Sequence, residues 1–308
     1  MANQQPRSYA AAHFALELDG KDEVGLFRSV EGGGVKTDVM TYQNGANYDR
    51  WRQLGKPKFE DIKMQVGMSM SKPFYDWIAN FFDGKADRKN GAIVAADFYY
   101  NERARREFTA AMIKELSFPK LDGQDKNAAY MTIGVAVEGI VFKKGNEGKK
   151  LGVPGSGFNA QKLWKSCNFS FRLDGFEDAC KRVTKIDSFT VKQNIIEYHQ
   201  GGIRAPTKTP SQIDFPNIVF YVPEADAQPF LDHFTKRAMD GEVPGRLGGQ
   251  LQTYDNDRKP LFTLQFFNVD IMQVQVDKND ASSEEIKLVK VELYTESMTF
   301  EYAAMQVE

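Results

Sequence analysis

His13, His199 and His233 are the chain's only histidines, and none stands at a metal-ligand spacing from a cysteine or another histidine. Lone histidines are usually structural or exposed, so no metal site is expected. Glu31-Gly-Gly-Gly-Val-Lys-Thr37 has the glycines of a phosphate loop, yet Gly34 and Lys36 are not adjacent and the flanking spacing is missing. A turn leading into a strand is the better reading. Gly155-Ser-Gly157 lacks the neighbours of a nucleophile elbow. Asp255-Asn-Asp-Arg258 and Asp277-Lys-Asn-Asp280 have the composition of calcium loops without the spaced ligands and closing Glu, and read as hairpin turns. Arg103-Ala-Arg-Arg106 is a small basic cluster that reads as a solvated turn. No catalytic, cofactor-binding or metal constellation emerges, and the chain is expected to be neither an enzyme nor a cofactor protein.

The elements that would have to position such residues repeat. Phe14-Ala-Leu-Glu-Leu-Asp-Gly20 returns about 155 positions later as Phe169-Ser-Phe-Arg-Leu-Asp-Gly175, the mark of an internal repeat. Tyr42 is matched by Tyr198, and Ile62-Lys-Met-Gln-Val66 by Ile218-Val-Phe-Tyr-Val222. Pro73-Phe74 opens an apolar stretch ending at Asp83-Gly84, and Pro229-Phe230 opens another ending at Asp240-Gly241. Phe108-Thr109 is matched to Phe262-Thr263. The order is kept throughout, which indicates a tandem duplication. The expected organisation is a first domain over 1–147, a linker over 148–163 and a second domain over 164–308. The linker rests on the polar, Gly-rich run from Lys143 to Gly157.

With 308 residues, each half is large enough to bury its own core. Strand signals dominate. Phe14, Leu16 and Leu18 alternate with more polar neighbours, as do Val35, Thr37 and Val39, and Ile62, Met64 and Val66, predicting half-buried strands. Met131 to Val137 and Val289 to Tyr294 give long closing strands. This alternation belongs to antiparallel sheets with one covered face. One helix per half is expected: after Ser71, with Phe74, Trp77, Ile78, Phe81 and Phe82 on one stripe, and from Asp226 to Asp240, with Phe230, Leu231, Phe234 and Ala238 as the stripe. The fold class is therefore mainly β, as two similar antiparallel β-barrel or sandwich domains. The stretches from Tyr42 to Lys58 and from Tyr198 to Pro216 are longer than tight hairpins need, so each is expected to project as an arm or interface loop.

The formal net charge of -2 offers no field for wrapping nucleic acid. Met1-Ala-Asn-Gln-Gln-Pro-Arg-Ser lacks the pattern of a signal peptide, and no apolar run approaches the ~20 residues that span a bilayer, so synthesis in the cytoplasm is expected. In such a compartment Cys167 and Cys180 are expected to be reduced.

Phe14 to Gly20, then Val24-Gly-Leu-Phe-Arg-Ser-Val30, then Tyr42 with Gly45 and Asn47, form a series that resembles the inner tail-tube proteins of contractile phages and related injection systems. Arg50, Trp51, Arg52, Leu54, Gly55 and Lys58 fall in the family's basic loop, Ile62 and Lys63 in the strand after it, and Phe74 to Ile78 in its Trp-containing helix. Glu115-Leu-Ser-Phe-Pro-Lys-Leu121 is similar to the family's strand ending in a Pro-Lys-aromatic step, with Leu121 departing from the aromatic. The match is good in the first half and weaker in the second. Most members carry one such domain, so the duplication departs from the family.

The resemblance implies small β-barrels with one helix, joined into rings that line a channel, without enzymatic activity. Three chains would make a pseudo-six-fold ring and six chains would supply twelve barrels. Neighbouring tube, sheath, baseplate or spike proteins would be the other partners, and a virion tail or injection particle the destination. Tyr42, Asn47, Arg50, Trp51, Lys58 and Tyr198 are the candidate subunit-interface residues. The alternative is a two-domain β-sandwich binding module, with Tyr48, Trp51 and Tyr254 as an aromatic platform for a carbohydrate or protein ligand.

Overall fold

The computed structural model describes residues 13–43, 45, 48–152, 164–241, 246–276 and 286–302. The first half runs through β1 (His13–Leu18), β2 (Lys21–Phe27), β3 (Ser29–Gly32), β4 (Val35–Gln43), β5 (Arg50–Phe59), β6 (Ile62–Val66), α1 (Lys72–Phe82), β7 (Lys89–Ala96), β8 (Glu102–Phe118), β9 (Leu121–Asp122), β10 (Met131–Ala136) and β11 (Gly139–Lys144). The second runs through β12 (Phe169–Leu173), α2 (Glu177–Cys180), β13 (Lys185–Ile186), β14 (Phe189–Tyr198), β15 (Thr207–Asp214), β16 (Ile218–Pro223), α3 (Gln228–Phe234), β17 (Leu247–Tyr254), β18 (Pro260–Val276) and β19 (Leu288–Tyr302). The chain is mainly β, with antiparallel pairing in every ladder.

The alternation read from the sequence sets the faces. In β6, Ile62, Met64 and Val66 are buried while Lys63 and Gln65 are exposed. In β19, Val289, Val291 and Leu293 point inward. The first-half sheet has the order β2-β1-β7-β8-β10-β6-β3, and the second-half sheet β12-β17-β18-β19-β16-β13-β9. Both are open paths with two ends, so neither sheet is closed into a barrel by hydrogen bonds among the described residues. Val137 and Glu138 interrupt the first closing strand into β10 and β11, whereas β19 runs through.

The repeat extends to backbone detail. Asp97 Oδ1 accepts from the backbone N–H groups of Tyr99 and Asn101 at 2.9 and 3.0 Å, and Asp255 Oδ1 accepts from those of Asp257 and Lys259 at 2.8 and 2.9 Å. Each turn then carries a left-handed residue, Tyr100 at φ 65° and Arg258 at φ 63°. Ala110 at φ 50° and Asn268 at φ 53° mark matching irregularities inside β8 and β18. A non-glycine residue at positive φ is uncommon, so two such pairs are strong evidence of common descent of the halves. The register corrects one sequence match: Phe108 lies opposite Gly91 and Phe266 opposite Gly249, so the counterpart of Phe108 is Phe266 and not Phe262. The long strand carries Phe262-Thr263 and, further on, Phe266-Phe267, and only the ladder shows which pair is equivalent.

α1 starts at an extended Ser71, has Pro73 in its first turn and ends at Asp83, followed by Gly84 at φ 71°. Phe74, Tyr75, Trp77, Ile78, Phe81 and Phe82 are buried as the stripe predicts. α3 departs from its prediction. It is α-helical only to Phe234, continues as a π-type turn over Thr235–Met239, and of its apolar stripe only Phe230 is buried.

The basic run Arg103–Arg106 is not a turn. It lies in β8, with Arg103 bound to Asp97 at 2.7 Å, Arg105 to Glu17 and to Glu102, and Arg106 donating to the Gly32 carbonyl at 2.9 Å. Lys143 and Lys144 close β11, Asn101 bridges to Lys150, and Leu151 is buried against the first half. The rest of the expected linker, the Gly155-Ser-Gly157 step, and the Asp277–Asp280 turn lie outside the described residues.

Candidate functional site: the arm and the sheet edge it completes

Each half extends a two-stranded arm. β4 pairs with β5 and β14 with β15, with the same register and the same irregularity: Lys36 opposite Lys58 and Lys192 opposite Asp214, a shift at Thr37/Val39 and another at Gln193/Ile195, Tyr42 opposite Trp51 and Tyr198 opposite Thr207. The glycines of Glu31-Gly-Gly-Gly-Val-Lys-Thr37 sit where the first arm leaves the sheet. Gly32 has φ 75°, and a Cβ there would lie 2.2 Å from the Asp61 carbonyl oxygen, so only glycine fits.

The two arms have different surroundings. The second-half arm is docked on the first half: β14 pairs with β8 through Phe189–Phe118, Thr190–Ser117, Val191–Leu116 and Lys192–Glu115. The Ser117 and Thr190 hydroxyls are 2.8 Å apart. The Lys208 backbone N–H donates to Glu138 at 2.6 Å, and Arg88 donates to the Lys208 carbonyl at 2.9 Å. β9 of the first half in turn ends the second-half sheet by pairing with β13. Phe118 stacks on Phe189 at 5.0 Å, Tyr75 of α1 stacks on Tyr302 of β19, and Phe82 stacks on Phe300 at 5.9 Å. One continuous apolar core spans both halves.

The first-half arm forms a separate two-stranded sheet. Val35 is 42 % exposed, whereas its equivalent Val191 is 0 % exposed. Val35, Thr37 and Val39 do form a strand, but not the half-buried one expected, because the outer edge of β4 has no partner strand among the described residues. Tyr42, Arg50 and Trp51 lie on the exposed arm, with Trp51 66 % exposed. Lys58 binds Asp38 at 2.7 Å, a contact that raises the ammonium pKa through hydrogen bonding and charge. Tyr198 is exposed on the second arm, whose neighbouring Glu197 acts on the Lys58 ammonium and whose Arg204 donates to the Gly55 carbonyl of the first arm at 3.5 Å; Asn47 lies outside the described residues.

Among the described residues no group of three or more His, Cys, Asp or Glu is placed to hold a metal. His13 stacks on Tyr100 at 3.9 Å, His199 lies 3.9 Å from Glu197, and His233 hydrogen-bonds Asp270 at 3.0 Å. Cys167 and Cys180 are free thiols, and burial pushes the Cys180 pKa up to about 12. Of the residues of the alternative aromatic platform, Trp51 belongs to the first arm and Tyr48 lies just before its second strand, while Tyr254, in β17, bonds Gln252 and Ser170 through its hydroxyl at 2.7 and 2.8 Å. Among the described residues no helix is long and apolar enough to cross a membrane.

Sequence reasoning found the arms but missed the β8 edge that receives the second of them. The Glu115–Phe118 end of β8 carries no motif for this role, and the signal that could have found it is the length of the strand, 17 residues.

A β-rich duplicated chain whose distinctive surfaces are strand edges and arms is a structural assembly subunit of tube type. The chain belongs to the family of T4-like virus tail tube protein gp19, whose model matches residues 10–141 and again 165–299. The comparison with curated proteins gives no match. Among solved structures, the chain is similar to one from an extracellular contractile injection system, the PVC sheath-tube complex in its extended state, at 17% identity over 46% of this chain and 94% of that one, with TM-score 0.38. It is similar to one from the anti-feeding prophage cap, at 17% identity over 47% and 99%, with TM-score 0.39. It is also similar to the Hcp1 protein from E. coli EAEC 042 pathovar, at 18% identity over 44% and 90%, with TM-score 0.26. The family is a structural one, and the chain is a tail component of tube type.

Proposed function

We propose that this chain is a non-catalytic subunit that assembles with its own copies into hollow rings of a contractile tail or injection system, as part of the inner tube or a ring adjoining it. The observation that carries this reading is the docking of the second-half arm on β8. Two similar domains, 1–147 and 164–308 joined through 148–163, thus sit side by side through a head-to-tail contact, and a contact of that kind repeats until it closes a ring or extends as a filament. The first arm, with Tyr42, Arg50, Trp51 and Lys58, faces the next copy. The chain is made in the cytoplasm and incorporated into the particle, where tube, sheath, baseplate or spike proteins adjoin the two faces of the ring.

Negative-stain electron microscopy of the purified chain at high concentration tests this. Three-fold rings with six lobes indicate three chains, and six-fold rings indicate six. Two-lobed monomers at every concentration, with a matching sedimentation coefficient, would overturn the reading.

A further inference from the structure

The contact inside the chain uses one face of the first half and the opposite face of the second. Two surfaces are therefore left over, and they are the counterparts of the surfaces already joined. β18 from Asp270 to Val276 corresponds to the part of β8 that receives β14: Ile113 pairs with Val135 and Ile271 with Leu293, each beside a register shift, so Leu116 corresponds to Val274 and Glu115 to Gln273. β17 pairs with β18 only as far as Val269, which leaves the Asp270–Val276 edge without a second neighbour among the described residues. β4 corresponds to β14, so Val35 takes the place of Val191 and Lys36 that of Lys192.

The side chains around these edges agree. Phe300 is 4 % exposed beneath α1, while its equivalent on β11, Phe142, is 60 % exposed. Tyr75 on α1 is buried, and its equivalent on α3, Leu231, is exposed. Arg88 and Glu138, which hold the Lys208 backbone, correspond to Arg246 and Glu296, which lie on the surface 3.5 Å from each other. Lys208 itself corresponds to Arg52, which is exposed on β5. An open apolar edge beside a charged pair, facing an arm that carries the matching apolar strand and a cation, is a template for strand addition.

We infer that the β4–β5 arm of one copy adds antiparallel to the Asp270–Val276 edge of β18 in a second copy, with Val35 opposite Val274, Lys36 opposite Gln273, and Arg52 beside Glu296. The contact is heterologous: the arm of each copy engages the edge of the next. It differs from the internal contact in its socket. Trp77, Phe81 and Met112 line the internal one beside Gln193 and Pro210, whereas α3 and β18 present His233, Arg237 and the Asp270 carboxylate that both of them bind. The two arms are thereby matched to different sockets, which suppresses exchange between them.

This inference rests on self-assembly, and its test separates the two. In a Cys167→Ser background, Val35→Cys and Val274→Cys are placed in one chain, in separate chains that are then mixed, and singly. The double variant is expected to give an oxidant-dependent ladder of covalent multimers, the mixture a covalent dimer, and each single variant none. As a second measurement, Arg52→Glu and Glu296→Arg are each expected to weaken association at least tenfold by sedimentation, with the double charge reversal recovering most of the loss. Rings in micrographs without the Val35–Val274 cross-link, or a cross-link by Val35→Cys alone, would overturn the inference and leave ring assembly standing. A chain that stays monomeric and uncross-linked would remove both.

Discussion

Tyr75 and Tyr302 lie face to face with ring centroids 3.7 Å apart and planes 8° from parallel, one ring from the helix of the first half and the other from the last strand of the second. Burial raises the pKa of both phenols, so both rings stay neutral over the range in which the chain would be handled. The stack ties the halves at a point far along the sequence from the β8–β14 ladder. Two separate attachments make relative rocking of the halves costly.

Removing one ring should therefore loosen the joint rather than unfold a half. Tyr302→Ala is expected to cost about 1–3 kcal/mol, and Phe82→Ala about 3–5 kcal/mol because a large buried ring leaves a cavity. Differential scanning calorimetry should show a lower and broader transition in each. A sharp wild-type transition in Phe82→Ala would contradict the role given to this contact.

Arg105 is the hub of a buried charge cluster with Glu17 and Glu102, and Lys149 also reaches Glu17 at 3.0 Å. Truncation of the guanidinium leaves carboxylates buried without their main partner. Arg105→Ala is expected to lose about 3–5 kcal/mol of stability in urea titrations. Arg103→Ala, at a far more exposed pair, is expected to lose about 1 kcal/mol or less.

Asp97 gives a pH dependence of known sign. Desolvation opposes ionisation of this carboxylate, but Arg103, Asn101 and the N–H groups of Asn101 and Tyr99 outweigh it and hold the pKa down at about 2. A depressed carboxylate adds stability above its unfolded value of 3.8, and that stability is lost as pH falls from there toward about 2. Thermal melts between pH 5 and pH 2, with steps of about half a unit, should show a shallower acid limb in Asp97→Asn than in wild type.

Thiol chemistry should distinguish the two cysteines. Cys180 is buried with its pKa pushed up to about 12, so its reactive thiolate is scarce at neutral pH. Titration with an aromatic disulfide reagent should label Cys167 alone in the folded chain and both thiols in denaturant. Rapid labelling of both in native buffer would show that the α2 region opens readily.

Much of the fold was legible before the structure. The alternation in β6 and β19 placed the buried faces correctly because each of these strands has one covered side, whereas in β10 Gly134 and Ala136 are buried as well. The α1 stripe was legible for the same reason. α3 was not, since Leu231 and its neighbours look like a core stripe in the sequence while only Phe230 is covered within the chain. Val35 and Val39 mislead in the same way: apolar alternation reports that a face is to be buried, not which chain buries it. The candidate residues Tyr42, Arg50, Trp51 and Lys58 lie on the β4–β5 arm, and the edge proposed to receive it was invisible because Asp270–Val276 carries no motif. Only the ladder, by showing what Leu116 and Glu115 do, reveals what Val274 and Gln273 lack.

The β8–β14 ladder also has a kinetic meaning. Both of its strands belong to one polypeptide, so the joint between halves forms at an effective concentration set by the connecting segment and is indifferent to dilution. Two separate single-domain proteins would have to meet and give up translational freedom to make the same joint. In a duplicated chain that loss is met once, during folding, and the smallest unit adding to any growing assembly already carries a completed sheet junction.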